Sequence, residues 1–206
     1  MAASNLLLVG VESKQRVCYS GPPPEPDPDN PDDRMKQVMQ QIRKRCPGRR
    51  PPDCSSPQPL GMEDGRIPDG RIKASSHWGS INCCPAREAR LNNDLRWIAL
   101  STDANPWIEV DLVESTVVTG VITQGSGGGS YVTQFKVAYQ KQPSSDREHV
   151  KDKSGNVKVF IGNTDVSTTV TNLFDESVVA AVVRIEPTEW QVGVGLRLEL
   201  LGCHLD

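Results

Sequence analysis

A succession of short strand-like segments, separated by turn residues, occupies the chain from residue 66 onward. Residues 107–112 and 131–139 alternate apolar and polar side chains, which is typical of strands buried on one face. Residues 117–124 are β-branched and nearly continuous, as expected of a central strand. The remaining segments of this kind are 157–161, 166–170, 178–185 and 194–201. Since no helical period with caps interrupts them, the region predicts an antiparallel β-sandwich or jelly roll.

The first 53 residues have a different composition. Residues 21–31 are rich in proline and cannot donate a ladder of hydrogen bonds, so they predict a stiff, extended spacer. One short helix is predicted over 32–45, and it packs on its own domain, is only partly formed, or associates with a second copy. Its apolar residues fall on a single face: Met35, Val38, Met39 and Ile42. A chain of 206 residues therefore divides into a mostly irregular extension, 1–53, and one domain, 54–206.

Charge is distributed unevenly between these two parts. Residues 1–53 carry nine Lys/Arg against seven Asp/Glu, a balance of +2, whereas residues 54–206 carry fourteen against nineteen, a balance of −5. Nucleic-acid binding would need a basic face, so no nucleic acid is expected as a partner. The basic cluster within 43–50 is a solvated tether, a processing site or a site for sulfated glycan.

Targeting signals are not visible. No apolar run approaches the roughly 18 residues of a membrane span. The run at residues 6–9 is too short for a signal-peptide core and has no basic residue before it.

Several motifs carry a resemblance to a known family. Residues 59–69 read Pro-Leu-Gly-Met-Glu-Asp-Gly-Arg-Ile-Pro-Asp, and residues 72–76 read Ile-Lys-Ala-Ser-Ser. Together they resemble the opening of a discoidin domain, the C-type module of coagulation factors V and VIII. Later segments follow in the family's order: 89–92, 107–112, 120–125, 184–187 and the last strand to Cys203. Residues 156–165 are also similar to the retinoschisin- and lactadherin-like members. The resemblance covers about residues 54–206.

The resemblance implies an eight-stranded sandwich whose ends are joined by a disulfide between Cys54 and Cys203. Ligands of the family bind at one end, where loops project, and they include anionic phospholipid, glycan, collagen and other proteins. Disulfides persist in oxidising compartments, so a secreted, extracellular chain is expected.

The first projecting loop, 77–85, contains His77, Trp78 and Ile81. Trp78 and Ile81 are outward anchors for a sugar ring or a lipid headgroup layer, or else Trp78 caps the core. The same loop holds Cys83 and Cys84, whose direct bond would be strained. These two, with Cys18 and Cys46, are candidates for further or intermolecular disulfides, or they stay thiols. No Cys/His spacing completes a metal site.

The second loop follows Trp97, which the family pattern assigns to the core. Arg96 is a candidate to fork onto a carboxylate, sulfate or phosphate, and Asn105 to read sugar hydroxyls, with Leu100 as an apolar contact. A solvated loop residue is the alternative for each.

The third loop, 125–131, reads Gly-Ser-Gly-Gly-Gly-Ser-Tyr and supplies Ser126, Ser130 and Tyr131 as candidates. Lipid-binding relatives place large apolar residues at this tip, and this chain does not. That departure, with the −5 balance of the domain, favours glycan or protein recognition over membrane binding.

Catalysis has little support, because His77, His149 and His204 lie in unrelated contexts without a nucleophile motif. We therefore expect a non-enzymatic adhesion module that binds a cell-surface or matrix glycan or protein. The alternatives are binding of anionic phospholipid such as phosphatidylserine, and a disulfide-linked homo-oligomer resembling retinoschisin. No cofactor is expected, and no specific motif indicates calcium.

Overall fold

The computed structural model describes residues 54–79 and 84–204. The predicted extension over 1–53, with its helix at 32–45, lies outside this range, and so do Ile81 and Cys83. Within the described ranges no helix is long and apolar enough to span a bilayer.

Nine strands form the described part of the chain, and their pairings are antiparallel. They are β1 (Gln58–Pro59), β2 (Ile72–Ala74), β3 (Trp97–Ile98), β4 (Ile108–Gln124), β5 (Tyr131–Gln140), β6 (Glu148–His149), β7 (Val159–Ile161), β8 (Val170–Gln191) and β9 (Gly195–His204). Two 3-10 turns accompany them, at Asp69–Arg71 and Ala86–Glu88. The predicted all-β class is confirmed, with nine strands where the family pattern implies eight. Three of the nine, β1, β3 and β6, are only two residues long.

The strands follow the order β1-β9-β4-β8-β5-β6, with β2 added to β4, β3 to β9 and β7 to β5. Strands β4 and β8 are long enough to pair with several neighbours. Their mutual register shifts between Asp111 and Thr116, next to Val113, whose φ is 70°. Bulges of this kind bend a strand and increase its twist. The bends let one continuous hydrogen-bonded network fold into a sandwich around a core.

The core is built from the alternating inward positions of these strands. In β9, Leu196, Leu198 and Leu200 are all fully buried. Phe135 of β5 and Phe160 of β7 stack with their ring centroids 5.4 Å apart. Trp97 is fully buried as predicted, and its indole N–H donates to the Ser76 carbonyl at 2.8 Å. The Trp97 anchor matters for function because its neighbours in sequence form the second projecting loop.

The predicted strand over 166–170 is wrong except at Val170. The carboxylate of Asp165 accepts the backbone N–H groups of Ser167 at 2.7 Å and Thr168 at 2.6 Å. This Asx turn satisfies the local donors without a partner strand, so the β-branched residues there do not join the sheet. The predicted strands 107–112 and 117–124 merge almost completely into β4, and 178–185 lies within β8.

A disulfide joins Cys54 to Cys203, 149 residues apart in sequence. Cys84 is disulfide-bonded as well. Cys18, Cys46 and Cys83 lie outside the described residues, so covalent linkage between chains stays a prediction. Reducing against non-reducing electrophoresis tests it, and a monomer in both lanes would rule it out.

Candidate functional site

Three loops and the end of strand β8 enclose a groove of ≈450 Å³, which we call the rim groove. Its walls include Trp78, Arg96, Leu100, Asp103, Ser130 and Trp190. Strand β3 positions the first two loops, since Ile98 accepts the backbone N–H of Trp78 at 2.7 Å. The groove therefore joins residues that are more than a hundred positions apart in sequence.

Arg96 is the most distinctive side chain of the rim groove. Its Nε is buried, and no described residue accepts a hydrogen bond from it. The described residues also provide no ion pair to its guanidinium. A guanidinium carries five N–H donors and a fixed positive charge. Leaving such a group unpaired at a partly buried position is costly, so the groove is suited to a ligand that supplies oxygen acceptors.

A second arginine next to Arg96 has a structural task. Arg197 donates to the carbonyl oxygens of Gly125 at 2.8 Å, Asn93 at 2.7 Å and Val166 at 3.0 Å. Burial, and then the positive charge of Arg96, lower the pKa of Arg197. Arg197 thus binds the backbone at the start of the third loop. Arg96 lines the groove and has no partner among the described side chains.

Asp103 organises the second loop. Its carboxylate accepts the hydroxyl hydrogens of Ser75 at 2.5 Å and Ser76 at 2.6 Å. These bonds, the Ser75 bond first, lower the pKa of Asp103, so the carboxylate stays ionised. The Ser76 hydroxyl also accepts the backbone N–H of Leu100 at 3.1 Å. These hydrogen bonds hold the loop that contains Leu100. They also engage the Asp103 carboxylate, which lines the rim groove.

Large apolar side chains project beside the rim groove. Trp78 is 53% exposed, Leu100 43%, Trp190 41% and Val192 75%. Val192 has φ of 61°, a left-handed conformation that is strained for a β-branched residue. Neither Trp190 nor Val192 was identified from the sequence. The sequence shows a tryptophan three residues before Gly193, but this pattern does not indicate that the Trp190 or Val192 side chain is exposed.

A second groove, of ≈610 Å³, borders strands β5 and β8, and we call it the side groove. It includes Asn105, Trp107, Lys136, Arg184, Glu186 and, again, Trp190. The Arg184 guanidinium lies over the Trp107 ring, 3.8 Å from its centroid, and also bonds Glu109 at 2.7 Å. Cation–π stacking and the ion pair together hold this wall rigid.

The sequence candidates separate into three groups in the structure. Trp78, Arg96, Leu100 and Ser130 line the rim groove, whereas Asn105 lines the side groove instead. His77 is exposed and Tyr131 half-buried, and neither lines a groove. Ile81 lies outside the described residues.

The assignment of Ser126 as a ligand contact needs correction. Ser126 is fully buried, and its hydroxyl donates to the Ser130 carbonyl at 3.2 Å. Close packing explains this, since a Cβ at Gly195 would stand only 2.8 Å from the Ser126 Cβ. Ser126 therefore shapes the third loop and is not available to a ligand.

Metal binding has no visible basis in 54–79 and 84–204, where no group of three or more His, Cys, Asp or Glu could hold an ion. The grooves themselves offer hydrogen-bond donors, positive charge and exposed indole rings.

Comparison with known proteins identifies the family to which this domain belongs. The sequence profile of the F5/8 type C domain matches residues 71–200. The chain belongs to this family. Retinoschisin of Mus musculus is 33% identical over 159 residues, which cover 74% of this chain and 71% of retinoschisin. Coagulation factor V of Sus scrofa is 40% identical over 158 residues, which cover 72% of this chain and 7% of factor V.

A solved structure shares the fold of this F5/8 type C domain. Discoidin II from Dictyostelium discoideum superposes with a TM-score of 0.57 at 18% identity, covering 66% of this chain and 55% of that chain. F5/8 type C domains are carbohydrate- or phospholipid-binding modules. The family fixes the class of function, and the ligand must be argued from the grooves.

Proposed function

We propose that this F5/8 type C domain is an extracellular, non-enzymatic adhesion module whose rim groove binds a glycan of the cell surface or matrix. The observation that carries the proposal is the guanidinium of Arg96, which has no partner among the described residues and lies in a groove walled by two exposed tryptophans, Trp78 and Trp190.

Sugar rings have apolar faces that stack on indoles and hydroxyl edges that need hydrogen-bond partners. The rim groove supplies both. Trp78 and Trp190 offer the indoles, and Arg96 offers several donors in one plane. A carboxylate or sulfate on the glycan would in addition neutralise Arg96.

The extracellular setting is supported by cysteine chemistry. The Cys54–Cys203 bond and the disulfide-bonded state of Cys84 fit a compartment in which disulfides persist. A domain whose rim groove binds glycans outside the cell is suited to adhesion.

Peripheral binding of anionic phospholipid is the second candidate, and a specific observation favours it. Trp78, Leu100 and Val192 project beside Arg96, and such side chains can enter a headgroup layer with a cation behind them. The third loop lacks apolar residues, but Val192 supplies one from a neighbouring position. Burying a side chain of this size contributes roughly 1.5–3 kcal/mol.

One binding panel separates the two candidates. The full chain is applied to a glycan array, to collagen and to phosphatidylserine liposomes, each with and without calcium. We expect discrete glycan hits that weaken about tenfold or more in Arg96→Gln. The matched control is Lys153→Gln, which removes the same charge from an exposed turn outside both grooves.

Binding to liposomes alone, reduced in Val192→Ser, would replace the glycan proposal with the lipid one. Binding to collagen alone would indicate a protein ligand. Glycan hits that are identical for Arg96→Gln and Lys153→Gln would contradict the assignment of the rim groove.

A further inference from the structure

We infer that the rim groove and the side groove form one elongated site for an acidic polysaccharide chain, an inference that rests on the proposed function and extends it. Trp190 lines both grooves and is exposed. A chain that stacks on Trp190 would therefore continue into either groove.

Each groove contributes a cation that forms no ion pair with any described residue. Arg96 is the one in the rim groove. Lys136 is its counterpart in the side groove, and no side chain in the described part of the protein forms an ion pair or hydrogen bond with its ammonium group. Positive charges on the walls of a concave surface concentrate anions there.

The acidic side chains of the two grooves are already engaged. Asp103 accepts the Ser75 and Ser76 hydroxyls. Glu186 lies 2.9 Å from the imidazole Nε2 of His149. Among the described residues, neither carboxylate forms an ion pair with Arg96 or Lys136, so an acidic ligand can supply a pairing that a neutral glycan cannot.

The spacing of the groups favours a chain over a single ring. In the β5–β8 ladder Lys136 lies opposite Glu186, and Val132 lies opposite Trp190. Four residues of strand span roughly 13 Å. With that separation of their backbone positions, a ligand that contacts both Lys136 and Trp190 has room for more than one sugar ring.

An acidic peptide fits the surface less well. Strand β8 loses its β4 partner after Ile185, so its next residues border the side groove as an edge. Pro187 lies in that edge and has no N–H, which removes a donor that an added peptide strand would use. The exposed indole of Trp190 and the two cations instead suit rings that carry sulfate or carboxylate groups.

The domain as a whole does not attract polyanions by bulk charge, because residues 54–206 carry a balance of −5. Binding of an acidic chain would depend on local contacts with Arg96 and Lys136. Single charge-removing substitutions should then have measurable effects, which makes the inference testable.

The test measures binding of the full chain to heparin-derived disaccharide and decasaccharide and to hyaluronan decasaccharide by calorimetry, at about 0.15 M salt. The inference predicts that at least one decasaccharide binds about tenfold more tightly than the disaccharide. Lys136→Gln should weaken the decasaccharide about threefold to fivefold and leave the disaccharide unchanged. Trp190→Ala should weaken both. Preference for heparin would assign the contacts to sulfate, and equal binding of hyaluronan would assign them to carboxylate.

Three outcomes would overturn the inference. In the first, Lys136→Gln binds the decasaccharide as tightly as the control Lys153→Gln does, while Arg96→Gln still loses its glycan-array hits. The proposed function would then stand, and the elongated site would be contradicted. In the second, replacing the five basic residues of 43–50 by glutamine abolishes decasaccharide binding that Lys136→Gln leaves intact. In the third, a glutamate-rich peptide binds and the polysaccharides do not, which would indicate an acidic protein. If Arg96→Gln instead left binding to the glycan array unchanged, that result would contradict the proposed function itself.

Discussion

Arg96 lies directly against Gly127: a Cβ added at the glycine would stand 3.1 Å from the Arg96 Nη1 atom. The missing side chain at residue 127 therefore lets the third loop approach the guanidinium this closely. In Gly127→Ala we expect Arg96 to shift by a few tenths of an ångström, because its far end is flexible. Glycan binding should fall about threefold to tenfold while stability is retained.

The matched control for this change is Gly70→Ala, since a Cβ at Gly70 would meet nothing within 4 Å. Calorimetric titration with the strongest array ligand, run beside urea unfolding, measures both properties. Equal ligand affinity in the two alanine variants would contradict the role given to the Gly127 contact.

Val192 offers a test of backbone strain. Its φ of 61° is unfavourable for a β-branched residue, and its side chain is 75% exposed. Val192→Gly should therefore keep or raise the free energy of unfolding, by up to about 1 kcal/mol. Urea unfolding checks this, and a loss of stability above about 1 kcal/mol would show that Val192 makes contacts that the exposure does not indicate.

Glu199 is a buried carboxylate that holds the beginning of the domain. It accepts the backbone N–H groups of Gly61 at 3.2 Å, Met62 at 3.0 Å and Glu63 at 2.9 Å. Glu199→Gln keeps one acceptor oxygen and turns the other into an N–H₂ group that faces a donor. We expect the free energy of unfolding to fall by about 1–3 kcal/mol, with an unchanged denaturant slope.

The control for Glu199→Gln is Glu189→Gln, at an exposed position of β8. The same unfolding measurement should show almost no change there. Similar effects in the two variants would contradict the assignment of Glu199 as an anchor.

Asp103 predicts a specific acid dependence. The Ser75 and Ser76 hydroxyls lower its pKa in the folded state below the ordinary 3.8. Its contribution to stability is therefore present above that value and is lost as pH falls through the folded-state pKa. The difference in unfolding free energy between the wild type and Asp103→Asn should shrink as pH is lowered from about 6 to about 3. A difference that grows on acidification would contradict this.

The strand content could be predicted from sequence because alternation of apolar and polar residues reports burial directly. The stretches at 107–112 and 131–139 lie largely in β4 and β5, and Trp97 lies in the core. The turn at Asp165 was missed, since β-branched residues favour a strand unless a carboxylate satisfies their backbone first.

The rim groove was only partly predictable. Trp78, Arg96 and Leu100 lie in loops that the sequence identified, whereas Trp190 reaches the groove through the pairing of β8 with β5. Such a long-range register has no local signal. Asn105 differs, because a local contact fixes its position: Asp103 accepts its backbone N–H at 3.1 Å and folds the loop beside the side groove.

The four tryptophans provide the most direct measurement of the central claim, that the rim groove is the binding site. Each indole N–H gives a resolvable signal in a ¹⁵N-correlated NMR spectrum of the full chain, and Trp97 is a buried internal reference. On titration with the strongest array glycan, we predict that the Trp78 and Trp190 signals shift while the Trp97 signal stays in place. Binding that leaves the Trp78 and Trp190 signals unmoved would contradict the account.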